Sequence, residues 1–378
     1  MDRNVFSAER NKTPEKFDIP FLLLVMIFCG IGMITLYSGS LSYAERLFDD
    51  PLYFIRRQSI NLGIGFVGML LLSVINLDSL RKHLPKIIIA TLISCVLPFV
   101  PGIGISKNGA SRWIGFGSAS FQPSELVKLV LVFYLANLFA KKYDRLNEPD
   151  VSVFPAAIMS LFFVFLIYIQ NDFSKALFIL IVALTMFFIA GVDLRWFGKL
   201  CVIAIPFVAL MILTKEYRVI RIMSFFQPDN DPLGAGYQVN AALEAFREGG
   251  FWGRGIGNGI KKISSIPEVQ SDFIFAVWGE EMGFLGIVGY FILLLSFSVR
   301  GFYVSLRCSD RFRSLLGFGC TTTILLQSLM NCGVVVRFFP VTGIPLPFFS
   351  AGGSSLLITL CLCGLIINVS RWKIGEEI

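Results

Sequence analysis

Runs of about twenty mainly apolar residues recur along the chain with short polar breaks between them, the length an α-helix needs to cross a hydrocarbon layer. They fall near 19–40, 59–77, 85–102, 124–140, 154–170, 174–192, 197–214, 273–299, 314–336 and 349–370. The pattern predicts ten helices, with the least distinct boundaries at the close pair around 170–174 and at the ends of the second run. One stretch breaks the rhythm. Residues 215–272 are too long for a simple connector. Within them "GAGYQVNAALEAFREGG" (234–250) reads as a short amphipathic helix bounded by glycines, with Val239, Ala242, Leu243 and Phe246 on one face. Such a helix is expected to lie on a membrane surface, and the wall of a groove for a lipid-linked substrate is the sharper alternative.

Composition agrees with this pattern. The chain is 55% apolar and only 16% charged, with a mean hydropathy of +0.72, more apolar surface than a soluble domain could cover. The expected architecture is all-α and polytopic: a tail over 1–17, one ten-helix membrane domain over 18–372 that includes the long 215–272 loop, and a tail over 373–378. The first run is long for a signal-peptide core, and no small-residue cleavage site follows it, so it reads as an uncleaved anchor.

The net charge of +7 could suggest nucleic acid, but its distribution follows topology instead. With the N-terminus inside, eighteen lysines and arginines lie on the inner side, from Arg3 in the first tail to Lys373 in the last. Seven lie in the short outer loops, including Arg46, Arg112, Lys175 and Arg337. The excess predicts both termini inside and an even number of spans. The eight cysteines lie in or beside the runs, where packing is the expected role and neither a zinc site nor a disulfide framework fits. His83, the single histidine, falls in a basic inner loop and reads as solvated.

On this topology the Gly-, Pro- and acid-rich loops all face outward: "NGASRWIGFGSASFQPSELVKL" (108–129), "QNDFSK" (170–175), 215–272 and "RFFPVTGIPLPFFSAGGSS" (337–355). Loops on a rigid scaffold are where function concentrates. "GRGIGNG" (253–259) has no strand before it and no βαβ unit around it, so its glycines are expected to serve tight turns and close packing rather than a nucleotide. In "FQPSELVKL", Pro123 fits a first helical turn and Glu125 sits where the helix dipole favours an anion. Lys128 is three residues on and shares its face. The spacing leaves two roles open, a structural ion pair or a lysine meeting a lipid phosphate. Arg112 and Trp113 join a cation to an interfacial aromatic, which a membrane anchor alone would also explain. Asp272 stands at the outer mouth of the eighth run, with Glu280 and Glu281 inside it, where carboxylates are costly unless paired, hydrated or used.

The strings "NGASRWIGFG…FQPSELVKL", "GYQVNAALEAFREGGFWGRGIGNG", "IPEVQSDFIFAVWGEEMGFLG" and "PVTGIPLPFFSAGGSS" resemble, in this order, the motifs of SEDS proteins, the FtsW/RodA/SpoVE family of bacterial cell-wall synthesis. They look closer to the family's division branch than to its elongation branch. The resemblance implies a peptidoglycan glycosyltransferase that polymerises lipid II at the outer face of the cytoplasmic membrane, at the division septum. It implies a class B penicillin-binding protein and other division proteins as partners, beside membrane lipids. It brings no certain cofactor, and a divalent cation at the pyrophosphate is left open. The family's essential aspartate maps onto Asp272, expected as general base in an inverting transfer. Its other motif residues map onto Arg112, Trp113, Glu125, Lys128 and Glu268, and Lys261 and Lys262 are further candidates for the pyrophosphate. Glu280 and Glu281, deeper along the helix, are expected to be structural.

Departures from the family pattern occur at Asn171 and Lys175, where proline and a small hydroxyl are common, at Ala351 in place of an aromatic, and at Val269-Gln270. The rival functions are a lipid flippase, which would need polar residues on both membrane faces, and a non-catalytic scaffold, which would leave Asp272 idle. The topology is directly testable. In a cysteine-free background, an impermeant thiol reagent should label cysteines placed at 230 and 345 in intact cells and spare one at 145. Labelling at 145 alone, or at all three, would overturn the orientation.

Overall fold

The computed structural model describes residues 17–107, 110–117, 119–146, 148–227, 235–259 and 269–372. Among them nine helices are long and apolar enough to span a membrane: α1 (Ile19–Phe48), α2 (Tyr53–Val74), α5 (Pro123–Lys141), α6 (Phe154–Ile169, reaching span length with the π-helical turn Pro149–Val153 before it), α7 (Phe173–Ala190), α8 (Leu194–Leu213), α11 (Ile274–Leu306), α12 (Arg311–Val335) and α13 (Gly353–Ser370). The third predicted run, 85–102, is a shorter apolar helix, α4 (Leu84–Val96), prolonged by a 3₁₀ turn over Leu97–Phe99. Pro98 and Pro101 lack the backbone donors that would carry it further. Short α3 (Leu77–Lys82) precedes it, and α9 (Glu216–Phe226) and α10 (Ala235–Gly249) lie in the long loop. The protein is an all-α polytopic membrane protein.

The start of α1 and the end of α13 meet. Asp18 caps α1 by accepting from the Phe21 amide (2.9 Å), and its own amide donates to the Ser370 hydroxyl (3.1 Å). Arg300, in α11, forks onto the same Asp18 carboxylate at 2.9 and 2.7 Å. The first and last helices therefore share one end of the bundle, as an even number of crossings requires. α5, α12 and α13 form the buried centre, while α8 buries only Met211. α2 lies close against α13 because Gly65 and Gly364 leave room: a Cβ on Gly364 would collide with the backbone of Met69.

The stretch read as a loop before α5 contains a three-stranded antiparallel meander, β1 (Gly104–Lys107), β2 (Ala110–Phe116) and β3 (Ala119–Phe121). Trp113 lies opposite Ile105, and Ile114 opposite Phe121. Strands this short carry no signal in a span-length hydropathy window.

α11 is two helices joined at a break. Gly283 has φ 63° and ψ −164°, outside helical space. The glycine run fits into the break: the amides of Arg254 and Gly255 donate to the carbonyls of Glu280 (3.1 Å) and Glu281 (2.9 Å), and Phe284 donates to the Gly250 carbonyl (2.9 Å). These bonds replace part of the helical ladder lost at the kink. Gly253 also has positive φ, and a Cβ there would run into the carbonyl of Glu281. Amphipathic α10 packs alongside, with Phe246 laid over Gly279 and edge-on to Phe275 at 6.0 Å. Ala substitution at Gly253 or Gly283 should lower the melting temperature in detergent sharply, since strained backbone alone costs about 1–3 kcal/mol. Gly289→Ala, where a Cβ meets nothing within 4 Å, is the silent control. Equal melting temperatures for all three would contradict this role of the break.

Candidate active site

The N-terminal turns of α5 and α7 bring opposite charges together. Pro123 starts α5, and the Glu125 carboxylate in its first turn is shared by two lysines, Lys128 Nζ and Lys175 Nζ, each at 2.5 Å. Lys175 belongs to α7, whose N-cap Asp172 accepts from the Lys175 amide at 3.4 Å. Gln122 bridges the two helix starts: its amide group donates to Asp172 at 3.0 Å and its carbonyl accepts from Lys175 Nζ. Arg112 closes the row from β2, donating to the Asn171 carbonyl with its Nε 3.9 Å from Asp172. Arg112, Lys128 and Lys175 face Asp172 and Glu125, so the row carries one surplus positive charge. Glu125 and Lys128 are almost fully buried, whereas the Arg112 side chain is 28% exposed.

The row continues into α12. Lys128 Nζ donates to Gln327 at 2.6 Å, and Gln327 donates to the Pro345 carbonyl at 2.8 Å. One turn on, Asn331 donates to the carbonyls of Ile344 (2.9 Å) and Asp272 (2.8 Å). The connection between α12 and α13 is thereby fastened from below. It is fastened from the side as well, by the Ala351 amide on the Gln270 carbonyl (2.8 Å) and by Gln58 on the Ser350 carbonyl (2.9 Å).

Asp272 sits against this connection, half-buried, just before α11. Ser271 donates its hydroxyl to one carboxylate oxygen at 2.9 Å. Gly343, at φ 70°, backs the other: a Cβ on it would stand 3.2 Å from Oδ2. The chain thus brings Arg112, Glu125 and Lys128 into one row and ties Asp272 to that row through Gln327, Asn331 and residues 344–345. Trp113 is half-buried beside Arg112 in β2. Lys261, Lys262 and Glu268 lie outside the described residues. Glu280 and Glu281 are buried, and Glu281 accepts from the Ser38 hydroxyl and the Gly257 amide (3.1 Å), which ties it to the glycine run. Among the described residues, no three His, Cys, Asp or Glu side chains converge as a metal site.

Sequence reasoning missed Gln122, Asp172, Gln327 and Asn331 as members of the row, and took Lys175 only as a departure in a loop. A signal existed for two of them. Gln327 and Asn331 are four apart in an apolar helix, so both point to one side, and polar side chains within a span face the bundle interior.

With this geometry in view, comparison with known proteins is informative. Residues 19–374 match the family described as cell cycle protein, FtsW/RodA/SpoVE. A probable peptidoglycan glycosyltransferase FtsW of Geobacter sp. (strain M18) is 37% identical, the alignment covering 94% of this chain and 97% of that protein. Stage V sporulation protein E of Bacillus subtilis (strain 168) is 35% identical over 94% and 97%. Among solved structures, a chain of a peptidoglycan synthase complex that coordinates polymerization and crosslinking superposes with a TM-score of 0.75 at 29% identity, covering 95% of this chain and 99% of that one. The rod shape determining protein RodA of Thermus thermophilus gives 0.68 at 26% identity over 95% and 98%. A family match over residues 19–374 and relatives aligned almost end to end place this chain in the FtsW/RodA/SpoVE family.

Proposed function

We propose that Asp272 is the general base with which this membrane glycosyltransferase polymerises lipid II. The observation that carries the reading is a half-buried aspartate at the mouth of a broken helix. Its carboxylate accepts from Ser271 and its backbone carbonyl from Asn331, on the helix that also ties in the row with surplus positive charge. The reaction joins a sugar hydroxyl of one lipid-linked disaccharide to the anomeric carbon of another. The new C–O bond forms as the bond to the diphosphate breaks, the hydroxyl proton goes to Asp272, and the lipid diphosphate leaves with its electron pair. Attack from the face opposite the leaving group turns an α-linked donor into a β-linked polymer.

Burial divides the basic residues by role. Arg112, partly open, is the cation placed to meet the diphosphate. Lys128 lies under the surface, engaged by Glu125 and Gln327, so its role is to position the Asp272 segment rather than to touch substrate. Lys175 shares that task. The site faces outward, as the charge asymmetry implies, which sets it beside lipid II delivered to the outer leaflet. A class B penicillin-binding protein is the partner that would crosslink the product, and the division septum is the expected place of work. The flippase alternative requires a polar route across the bundle. Instead Phe133, Phe139, Phe187 and Phe312 pack the centre beyond Lys128.

Asp272→Asn keeps shape and hydrogen bonding but cannot accept the proton. In the purified complex with its partner, glycan formation from lipid II should fall at least about 100-fold, the low end of what general-base catalysis contributes. Asp272→Glu should recover little, since a displacement of about an ångström can cost about 10²-fold. Polymerisation by Asp272→Asn near the wild-type rate would remove the base from Asp272.

A further inference from the structure

The corner between α6 and α7 holds a backbone conformation that the mechanism above leaves unused. Asn171 has φ 60°, in the left-handed region that non-glycine residues seldom occupy and that asparagine enters more readily than most. The way α6 stops requires it. The Asn171 amide donates to the Tyr168 carbonyl (3.0 Å) and the Asp172 amide to the Ile167 carbonyl (3.3 Å), the paired bonds of a Schellman motif with Asn171 as its left-handed residue. Asn171 thus stands alone between the C-cap of α6, Gln170, and the N-cap of α7, Asp172. Gln170 is buried and fastens the corner to α4 by donating to the Cys95 carbonyl at 2.6 Å. A proline, common at this place in the family pattern, is held at φ of about −65° and could not take this conformation.

The corner's carbonyl is what Arg112 bonds. A terminal guanidinium nitrogen of Arg112 donates to the Asn171 carbonyl, and the Tyr217 hydroxyl donates to the same oxygen at 3.5 Å. The Asp172 carboxylate stands farther off, 3.9 Å from Arg112 Nε, beyond hydrogen-bond reach. It is engaged instead by the Gln122 amide group at 3.0 Å and by the Lys175 backbone amide at 3.4 Å. The difference has a chemical consequence. A fork onto a carboxylate would fix the guanidinium but set a full negative charge directly against it. A carbonyl fixes its direction with a dipole and leaves more of the positive charge for an incoming anion.

We propose that Asn171 is a positioning residue for glycosyl transfer: its left-handed backbone aims a neutral carbonyl at the Arg112 guanidinium and holds that cation toward the departing diphosphate. The proposal rests on the role given to Arg112 above and adds the residue that orients it. The bond to Arg112 comes from the main chain, so the side chain at 171 matters only through the conformation it permits. Activity should therefore follow tolerance of positive φ, in the order glycine, asparagine, alanine, valine, and not size or polarity.

The test is polymerisation of lipid II by variants of the full-length protein, each in the purified complex with its partner. Asn171→Gly should keep about half or more of the wild-type kcat/KM, because glycine takes positive φ without cost. Asn171→Val should lose at least about tenfold, since a displaced catalytic group can cost that much or more. A double change separates positioning from packing. Arg112→Met alone should lose at least about tenfold. Adding Asn171→Val to it should cost less than about twofold more, because the group being positioned is already gone. Asn171→Ala, with its milder strain, carries the same comparison should Asn171→Val fail to fold. Losses that multiply in the double variant, wild-type activity in Asn171→Val, or equal losses in Asn171→Gly and Asn171→Val overturn this proposal alone. Near-wild-type polymerisation by Arg112→Met overturns the role of Arg112 and this proposal with it, so the two failures are distinguishable.

Discussion

A carboxylate with two lysines on it, buried at one end of a helical bundle, is the interaction on which the site depends. Alone, any of these charges would be expensive in this environment. Together Glu125, Lys128 and Lys175 satisfy one another, and Gln122 and Asp172 extend the satisfaction to the start of α7. The arrangement is directional. Glu125 sits at a helix N-terminus, which favours its charge, and each lysine reaches it from a different element or turn. Removing one partner of such a buried set typically costs about 3–5 kcal/mol, because the others are left uncompensated.

From this anchor the constraint passes to Asp272 by hydrogen bonds alone. Lys128 fixes Gln327, Gln327 fixes the backbone at Pro345, and Asn331 on the same helix face holds both Ile344 and Asp272. Further along α11, at Gly283, the glycine run occupies the break and accepts the close approach of its backbone. The backbone of the aspartate is therefore tied to the charged row, while the residue itself stays half-buried. A fixed backbone with a half-buried carboxylate fits the general-base role proposed for Asp272.

The spans were legible because apolar length is a local quantity, and the Glu125–Lys128 pair because three residues on a helix define a face. The third member was not. Lys175 comes from another helix fifty residues away, and no spacing rule links it to Glu125. It registered only as a departure from a family pattern, although its chemistry completes the cluster. The meander before α5 was hidden by strands of three to seven residues in a region read at helix length. The break in α11 was hidden differently: Gly283 is one of 34 glycines, and only contact with the 250–257 run distinguishes it from glycines that stay helical. Asp272 stood out as a candidate from motif resemblance and its place at a helix mouth, whereas its neighbours Asn331 and Gly343 required the fold.

The central claim is that the buried row holds the segment that positions Asp272. Hydrogen–deuterium exchange of residues 341–351, followed by mass spectrometry on the full-length protein, tests it without relying on activity. If the claim is right, Glu125→Gln leaves both lysines without their carboxylate, loosens Gln327 from the Pro345 carbonyl, and speeds exchange across this segment at least tenfold while exchange in α1 is unchanged. Wild-type protection of 341–351 in Glu125→Gln would contradict it.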